Sequence, residues 1–402
     1  MASMATGEIP RRPLGPNREH VSALGLGGYH LGKVSTIAEA VRIVHAAIDA
    51  GITFLDNAWE YHDGKSEKRL GKALTGGRRQ QVFLMTKVCT HGRDAKTAMR
   101  QLEESLRRLK TDYLDLWQVH EVAYAGDPER HFMKGGVIEA LDRAREKGLV
   151  RFVGFTGHKD PALHLQMLSY GYPFDSCQMP LNCFDASFRS FEQQVLPELA
   201  RQDIAAIGMK SMSGEGQPVK ARIVKAPDAL RYAMSLPVAV TVSGIDSLKV
   251  LRQNLKVARG FRPMGALEME RMRARVAPHA VDGRFELYKT TAKHEADVGR
   301  KVLELLPGGK VASCTCQAYT SGPNFVDING ILNRGVYFET VKVCGQDGSG
   351  CKNIVSCFPQ NDPKKQAECQ KLHEPPVCKY VKNQSASNPQ GSLMPKADLI
   401  ST

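Results

Sequence analysis

Short apolar runs alternate with amphipathic stretches from about residue 20 to residue 260. Eight apolar runs follow one another: SALGLGG, ITFLD, VFLMTKV, YLDLWQVH, RFVGFTG, FDSCQMP, IAAIGMK and VAVTVSG. These runs are continuous rather than strictly alternating, which is typical of parallel strands covered on both faces. Between most of them, stretches such as DAKTAMRQLEESLRRLK carry an apolar stripe at helical spacing. The pattern therefore predicts eight consecutive βα units.

Eight βα units with short connections close naturally into a (β/α)8 TIM barrel. Gly51 and Gly148 each stand between a predicted helix and a strand, where a left-handed residue ends the helix. An open, doubly wound sheet is the alternative. We also expect an N-terminal hairpin before Ser22 and an extra C-terminal helix over residues 262–278. The predicted fold class is thus α/β.

The 402 residues carry a formal net charge of +13, which raises the question of a nucleic-acid partner. The basic residues are scattered and form no stripe interleaved with aromatic side chains, so we expect no nucleic acid. A basic barrel can instead attract phosphorylated cofactors or anionic substrates. No run of eighteen apolar residues predicts a membrane span. The N-terminal stretch MASMATGEIPRRPLGP has no apolar core typical of a secretory signal, so we expect a cytoplasmic protein, with a transit peptide as the alternative.

Four polar residues stand at or near the carboxyl ends of three successive predicted strands. Asp56 ends ITFLD, Lys87 lies in VFLMTKV, His120 ends YLDLWQVH, and Tyr61 follows Asp56 in the next loop. Barrel active sites form at this end of the strands. Taken singly, an Asp at a strand end is often a helix cap, and a Tyr or His is usually packing. A lysine in an apolar strand is costly unless it is paired.

Reduction of a carbonyl group requires this set of side chains. The oxygen that develops negative charge needs a proton donor, and tyrosine has a reference pKa of about 10. A neighbouring ammonium lowers the pKa of a phenol, and a carboxylate neutralises and positions that ammonium. An imidazole can hydrogen-bond the carbonyl oxygen. Tyr61, Lys87, Asp56 and His120 would supply these groups in turn.

The stretch FLDNAWEYHDGKSEKRLGKAL resembles the signature of the aldo-keto reductase family, and MTKV and LWQVH match the family's lysine and histidine strands in order and spacing. The resemblance extends from about Arg12 to Lys289. It implies that the four residues are a catalytic tetrad and that Tyr61 is the general acid. It further implies hydride transfer between NAD(P)H and a small carbonyl compound, with NADP(H) favoured over NAD(H). A non-catalytic, cofactor-sensing subunit on the same barrel is the alternative.

The resemblance also implies a cofactor site that is not a Rossmann fold, and GLGGYHLG indeed lacks GxGxxG. The cofactor-binding positions carried over are Gly28, Tyr29, Asp56, Thr156, Gln178, Met209, Lys210, Gly244, Ser247, Gln253 and Asn254. The chain departs from the family at Gly157, where an asparagine is usual, and at Met209, where a tyrosine stacks on the nicotinamide. The usual 2′-phosphate residues fall on Gly244 and Val250, neither of which is basic.

Three basic residues on the last barrel helix could replace that phosphate clamp or could simply face solvent: Lys249, Arg252 and Lys256. For the substrate, Trp59, Tyr124 and Phe184 predict an aromatic-walled pocket, although each could equally be ordinary packing. We expect no metal.

The last hundred residues differ in kind and match no family that we recognise. They hold seven of the ten cysteines: Cys314, Cys316, Cys344, Cys351, Cys357, Cys369 and Cys378. A disulfide framework, a zinc site and an extension with free thiols are the three interpretations, and the third suits a reducing cytosol. We therefore predict a barrel domain over residues 1–299 and a Cys-rich extension over residues 300–402. GVYFETVKV predicts a strand there, and NQSASNPQGS predicts a disordered end.

Overall fold

The computed structural model describes residues 7–15, 19–89 and 94–291, together with the backbone of four strands between residues 324 and 359. The chain divides into two compact units, Met1–Gly299 and Arg300–Thr402.

The first unit contains a closed barrel of parallel strands. An antiparallel hairpin precedes it, formed by β1 (Arg11–Leu14) and β2 (Glu19–Ser22). The barrel strands are β3 (Leu24–Gly27), β4 (Phe54–Asp56), β5 (Phe83–Cys89), β6 (Leu114–His120), β7 (Val150–Thr156), β8 (Ser176–Pro180), β9 (Ala205–Met209) and β10 (Val240–Gly244). Strand β10 pairs with both β9 and β3, which closes the ring. This closure excludes an open sheet and confirms the predicted (β/α)8 barrel.

Helices connect the strands and cover the outside of the barrel. They are α1 (Gly28–Lys33), α2 (Ile37–Asp49), α3 (Lys65–Ala73), α4 (Ala95–Leu109), α5 (Asp127–Phe132), α6 (Val137–Glu146), α7 (Pro161–Ser169), α8 (Phe191–Arg201), α9 (Gln217–Lys220), α10 (Ala226–Ser235), α11 (Leu248–Arg259), α12 (Ala266–Val276) and α13 (Leu287–Thr290). Short 3-10 turns span Arg79–Gln81, Asp185–Ser187 and Ala277–His279. No helix among the described residues is both long enough and apolar enough to cross a bilayer.

Local signals in the sequence explain where several helices begin and end. Asp94 accepts a hydrogen bond from the backbone of Thr97 and so caps α4, and Ser247 caps α11 in the same way. Gly51 and Gly148 have φ angles of +98° and +67°, which glycine adopts without the steric cost of a Cβ. The predicted hairpin and extra helix are β1–β2 and α12.

Two contacts fasten the ends of this unit to the barrel. In the hairpin, the guanidinium of Arg12 donates to the carbonyls of Val238 and Met234 at 2.8 and 2.7 Å. At the other end, Lys289 of α13 is fully buried, and its ammonium lies 2.6 Å from a carboxylate oxygen of Asp185.

The inside of the barrel has two layers because side chains on a strand alternate between the inside and the helices. Towards the amino ends of the strands the layer is apolar. Phe83 stacks on Phe54 and Phe152, with ring centroids 5.4 and 5.9 Å apart. Towards the carboxyl ends the same strands place polar side chains inside. The site therefore lies above a packed apolar floor.

The second unit is described as backbone only. Strands β11 (Asn324–Val326) and β12 (Leu332–Arg334) pair antiparallel, as do β13 (Val336–Val343) and β14 (Lys352–Pro359). The strand predicted from GVYFETVKV is β13. Cys357 lies on β14, whereas the other six cysteines of the extension and the predicted disordered end lie outside the described residues.

Candidate active site

The carboxyl ends of β4, β5 and β6 bring three of the four predicted catalytic residues to one mouth of the barrel. The ammonium of Lys87 forms an ion pair with the carboxylate of Asp56 and donates to the carbonyl of Asn57 at 2.7 Å. Both residues are buried: 1% of the surface of Lys87 and 4% of the surface of Asp56 is exposed. The lysine in an apolar strand is thus paired, which offsets the cost of burying its charge.

Tyr61 stands at the centre of this group. Its ring centroid lies 5.1 Å from the ammonium of Lys87 and 5.7 Å from the ring centroid of His120. Tyr29 contacts it edge-on, with centroids 5.4 Å apart. The structure therefore places all four residues of the predicted tetrad together.

The electrostatic setting of Tyr61 differs from the one expected from the sequence. Burial, followed by the negative charges of Asp56, Glu60 and Glu121, raises the pKa of Tyr61 well above its ordinary value. The net shift of this pKa is therefore opposite to the lowering expected from Lys87 alone. The lysine's charge is already balanced by Asp56, while two further carboxylates face the ring. The phenol is consequently protonated at neutral pH.

Glu60 and Glu121 are the residues that the sequence analysis missed. Both are buried, with 4% and 3% of the residue exposed, and one carboxylate oxygen of Glu60 is in direct contact with Nδ1 of His120. Each one directly neighbours a predicted catalytic residue in the chain, Tyr61 and His120 respectively. That adjacency was the available signal.

A cavity of about 640 Å³ opens over the tetrad. Asp56, Tyr61 and His120 line it, whereas Lys87 lies beneath them. Seven of the predicted cofactor positions besides Asp56 also line it: Tyr29, Gln178, Met209, Lys210, Gly244, Gln253 and Asn254. The cavity thus extends from the tetrad to predicted cofactor positions on β8, β9, β10 and α11.

The remaining cofactor positions, Gly28, Thr156 and Ser247, are not among the lining residues. Gly28 follows β3 directly, and a Cβ at this position would meet the carbonyl oxygen of Asp56 at 2.6 Å. Glycine therefore permits the close approach of this turn to the strand carrying the tetrad. Thr156 ends β7 and is buried. Ser247 is engaged as the cap of α11.

The buried polar atoms that lack a hydrogen-bond partner among the described residues include three at predicted cofactor positions. They are Oγ1 of Thr156, Oε1 of Gln178 and Oδ1 of Asn254. A buried polar atom without a partner costs free energy unless a ligand or water completes it. Gln178 and Asn254 also line the cavity. The three atoms mark places where a bound molecule could be recognised.

The position usually held by the carboxamide-binding asparagine is closed to a side chain. A Cβ on Gly157 would lie 2.4 Å from the carbonyl oxygen of Val122 and 2.8 Å from the ring of His164. His164 is fully buried, and this burial lowers the pKa of His164 to about 4. A neutral imidazole therefore fills the space next to the missing amide.

The alternative phosphate clamp on α11 does not face the cavity. Lys249, Arg252 and Lys256 are exposed and lie outside the lining, whereas Val250 and Gln253 of the same helix belong to it. Basic groups do reach the cavity from other elements, namely His30, Lys33 and Lys210. His30 lies against Gly244, where a Cβ would meet its Nδ1 at 2.1 Å.

The aromatic wall predicted from Trp59, Tyr124 and Phe184 is corrected, because none of the three lines the cavity. The indole of Trp59 turns outwards and donates to Glu104 of α4 at 2.8 Å, which satisfies its N–H group. Phe184 is buried against Phe285. The lining instead mixes polar side chains, such as Glu121 and His158, with apolar ones, such as Met212.

Comparisons with known proteins agree with this geometry. The family model described as Aldo/keto reductase family matches residues 23–217. Methylglyoxal reductase YeaE of Escherichia coli (strain K12) is 42% identical over 197 residues, which cover 48% of this chain and 66% of that protein. L-galactose dehydrogenase of Arabidopsis thaliana is 34% identical over 159 residues, covering 37% of this chain and 49% of that protein.

Among solved structures, the aldo-keto reductase from Klebsiella pneumoniae in complex with NADPH has a TM-score of 0.56. It is 22% identical and covers 67% of this chain and 96% of that chain, which supports the fold. The two curated relatives are matched over half to two thirds of their own length. The resemblance expected from the signature around Tyr61 is confirmed, and residues 23–217, within the barrel, belong to the aldo/keto reductase family.

Proposed function

We propose that this protein is an NAD(P)H-dependent oxidoreductase that transfers hydride between a nicotinamide cofactor and a small carbonyl compound. One observation carries the proposal: a buried Lys87–Asp56 ion pair lies directly beneath Tyr61, at the floor of a large cavity. A buried pair of this kind is a poor source of stability, so a role in chemistry explains it better.

The residues at the cavity fit a nicotinamide cofactor. Oγ1 of Thr156 and Oε1 of Gln178 are the donor and acceptor types that a carboxamide needs, and both lack a partner among the described residues. Oδ1 of Asn254 is likewise free to accept from an amino group, since its amide nitrogen is engaged by Ser243 at 3.0 Å. When bound, the cofactor supplies or accepts the hydride.

The tetrad residues then have distinct roles. Tyr61 donates its phenolic proton to the carbonyl oxygen as hydride reaches the carbon. Its raised pKa keeps that proton available at neutral pH. Lys87 stabilises the phenolate left behind, and Asp56 holds the ammonium in place. His120 hydrogen-bonds and orients the carbonyl oxygen.

NADP(H) is the proposed cofactor because two lysines, Lys33 and Lys210, reach the cavity and attract phosphate groups. The Klebsiella neighbour, solved with NADPH, supports this choice. We propose a small, polar carbonyl substrate, in keeping with the names of the methylglyoxal and L-galactose relatives. We further propose a cytoplasmic setting, in which the free thiols of Cys89, Cys177 and Cys183 would stay reduced.

The test is turnover of NADPH and NADH with a panel of aldehydes, ketones, dicarbonyls and quinones, using wild type, Tyr61→Phe and Tyr170→Phe. Tyr61→Phe should lower kcat by about 10²- to 10⁴-fold, since it removes the general acid. Its NADPH affinity, measured by fluorescence titration, should remain within about twofold. Tyr170 is 44% exposed and stacks on Phe132, outside the cavity lining, so its replacement should leave kcat unchanged.

Near-normal turnover by Tyr61→Phe would reject the tetrad assignment. The non-catalytic alternative predicts a different result, namely tight NADPH binding by the wild type without oxidation by any compound of the panel.

A further inference from the structure

The mouth of the barrel holds two buried carboxylates to which the proposed reaction assigns no role. Glu60 and Glu121 approach each other and the thiol of Cys89 so closely that one ligand atom from each lies within 4.8 Å of the others. Burying a carboxylate is costly unless a cation or hydrogen-bond donors balance it. The partners of these two groups therefore indicate what they do.

The cations at the site divide among the carboxylates. Lys87 is paired with Asp56. Burial lowers the pKa of Lys210, and the negative charge of Glu121 is the largest influence that raises it. Glu60 directly contacts Nδ1 of the His120 imidazole. The nitrogen base in direct contact with Glu60 is thus a residue of the tetrad.

We infer that Glu60 is a positioning residue that acts through His120. This inference rests on the proposed function. By accepting a hydrogen bond from Nδ1–H, the carboxylate fixes the plane of the imidazole and excludes the flipped ring. The opposite ring nitrogen, Nε2, then remains to meet a substrate oxygen in the cavity, which His120 lines.

Glu60 also supplies charge to this arrangement. A ring protonated at Nδ1 alone presents only a lone pair at Nε2, which cannot donate to a carbonyl oxygen. A ring protonated at both nitrogens can donate, and the carboxylate of Glu60 balances the resulting positive charge. Glu60→Gln keeps an acceptor but removes this charge, whereas Glu60→Ala removes both. The two variants therefore separate orientation from charge.

A metal site is the competing explanation for Glu60, Cys89 and Glu121. Burial, followed by the two glutamates, raises the pKa of the Cys89 thiol well above its usual value. A thiol ligand must lose its proton to bind metal. The protonated thiol and the direct contact of Glu60 with Nδ1 of His120 therefore favour the hydrogen-bonded interpretation, and metal dependence becomes an outcome of the test.

The decisive experiment is a double-mutant cycle of Glu60→Ala with His120→Phe, measured as kcat with the best carbonyl substrate. We expect Glu60→Ala to lower kcat by about 10- to 100-fold, as a misplaced catalytic group does, with NADPH affinity unchanged. Glu60→Gln should recover part of that loss. In the His120→Phe background, Glu60→Ala should cost almost nothing further, because the residue through which it acts is gone.

Glu67→Gln is the matched control. Glu67 is an equally buried carboxylate of α3, but it accepts a hydrogen bond from Thr86 and pairs with Arg108, away from the cavity. It should leave kcat and the imidazole spectrum unchanged. In ¹⁵N-histidine NMR, the His120 signal, assigned by its loss in His120→Phe, should move in Glu60→Ala.

Three results would overturn the inference: an equal loss from Glu60→Ala with and without His120, an unmoved His120 signal, or loss of wild-type activity on treatment with EDTA. The last result would assign Glu60 to a metal site. Failure of the proposed function itself is distinguishable, because it would appear as normal turnover in Tyr61→Phe whatever Glu60 does.

Discussion

The two ends of the barrel interior share their strands but differ in chemistry. On β5, Phe83 points into the barrel near the amino end of the strand. Lys87 points into the barrel near the carboxyl end of the same strand, at the mouth. On β6, Leu116 belongs to the apolar layer, and His120 lines the cavity. At the amino end, buried area and ring stacking suffice. At the carboxyl end, each buried charge needs a partner, and some buried polar atoms have no hydrogen-bond partner among the described residues.

This contrast separates residues that stabilise the barrel from residues that serve a reaction. The rings of Phe54, Phe83 and Phe152 stack on one another and need no ligand to complete their packing. Thr156 and Gln178, in contrast, keep buried atoms without partners there. Leaving such atoms incomplete costs stability. The stability that the apolar layer contributes therefore offsets the free energy lost by leaving polar atoms at the mouth available for binding.

The largest effect should come from Lys87→Met at the mouth. It leaves Asp56 buried without its cation, which costs about 3–5 kcal/mol of unfolding free energy. It also leaves the Tyr61 phenolate without support, so kcat should fall by about 10²- to 10⁴-fold. Urea denaturation and steady-state kinetics measure the two losses separately.

The control for this variant is Arg79→Met at the opposite end, which breaks a buried ion pair with Asp115 of 2.9 Å. Its stability loss should be smaller, since Arg151 also pairs with Asp115 at 2.7 Å, and kcat should be retained. If both variants lost activity alike, the two ends would not be functionally distinct.

Phe83→Ala tests the apolar end. It removes the ring between Phe54 and Phe152 and leaves a cavity, so we expect a loss of about 3–5 kcal/mol in unfolding free energy. The folded fraction should keep a kcat within about twofold of wild type. Chemical denaturation, with kinetics below the unfolding transition, gives both numbers. A large fall in kcat of the folded protein would contradict the division into layers.

A pH effect is expected at the mouth through Lys210. Burial, aided by the charge of Lys87, lowers the pKa of Lys210 to about 8. Its ammonium is therefore present at pH 7 and is lost as the pH rises above about 8. Because phosphate groups are attracted to the charged form, the Kd for NADPH should increase over this interval. Fluorescence titration should show a flatter profile in Lys210→Met, and an equally steep one would exclude Lys210 from the cofactor site.

The smallest effect should come from deleting residues 301–402. We propose that the barrel domain is independent, because the matched sequence and the tetrad lie before this point. The shortened chain also keeps the buried contact of Lys289 with Asp185. Melting followed by circular dichroism and NADPH turnover should match the full chain. A barrel that fails to fold, or folds without activity, would show that the extension contributes to one of the two ends.

The strands and the meeting of Asp56, Lys87 and His120 at one mouth could be predicted because each depends on local sequence. A continuous apolar run that ends in Asp56 or His120 shows both the strand and the side chain at its carboxyl end. The contact of Glu60 with His120 depends on how the loop after β4 folds towards β6, and no local pattern contains that distance. The orientation of Trp59 was missed for the same reason, since its partner Glu104 lies 45 residues further along the chain.

The sign of the pKa shift of Tyr61 could not be predicted either. It depends first on burial of the ring and then on the negative charges of Asp56, Glu60 and Glu121. These residues come from different strands and loops, so no local pattern in the sequence contains their combined effect.

Gly157 has a consequence for how this site can change over evolutionary time. The carbonyl of Val122 and the ring of His164 occupy the space that any side chain at this position would need. His164 could be replaced by a smaller residue, but a backbone carbonyl cannot be mutated away. Introducing the asparagine that is usual in the family therefore requires the strand ends to shift first. A single substitution at Gly157 is unfavourable, so an amide side chain can be placed here only by several coordinated changes.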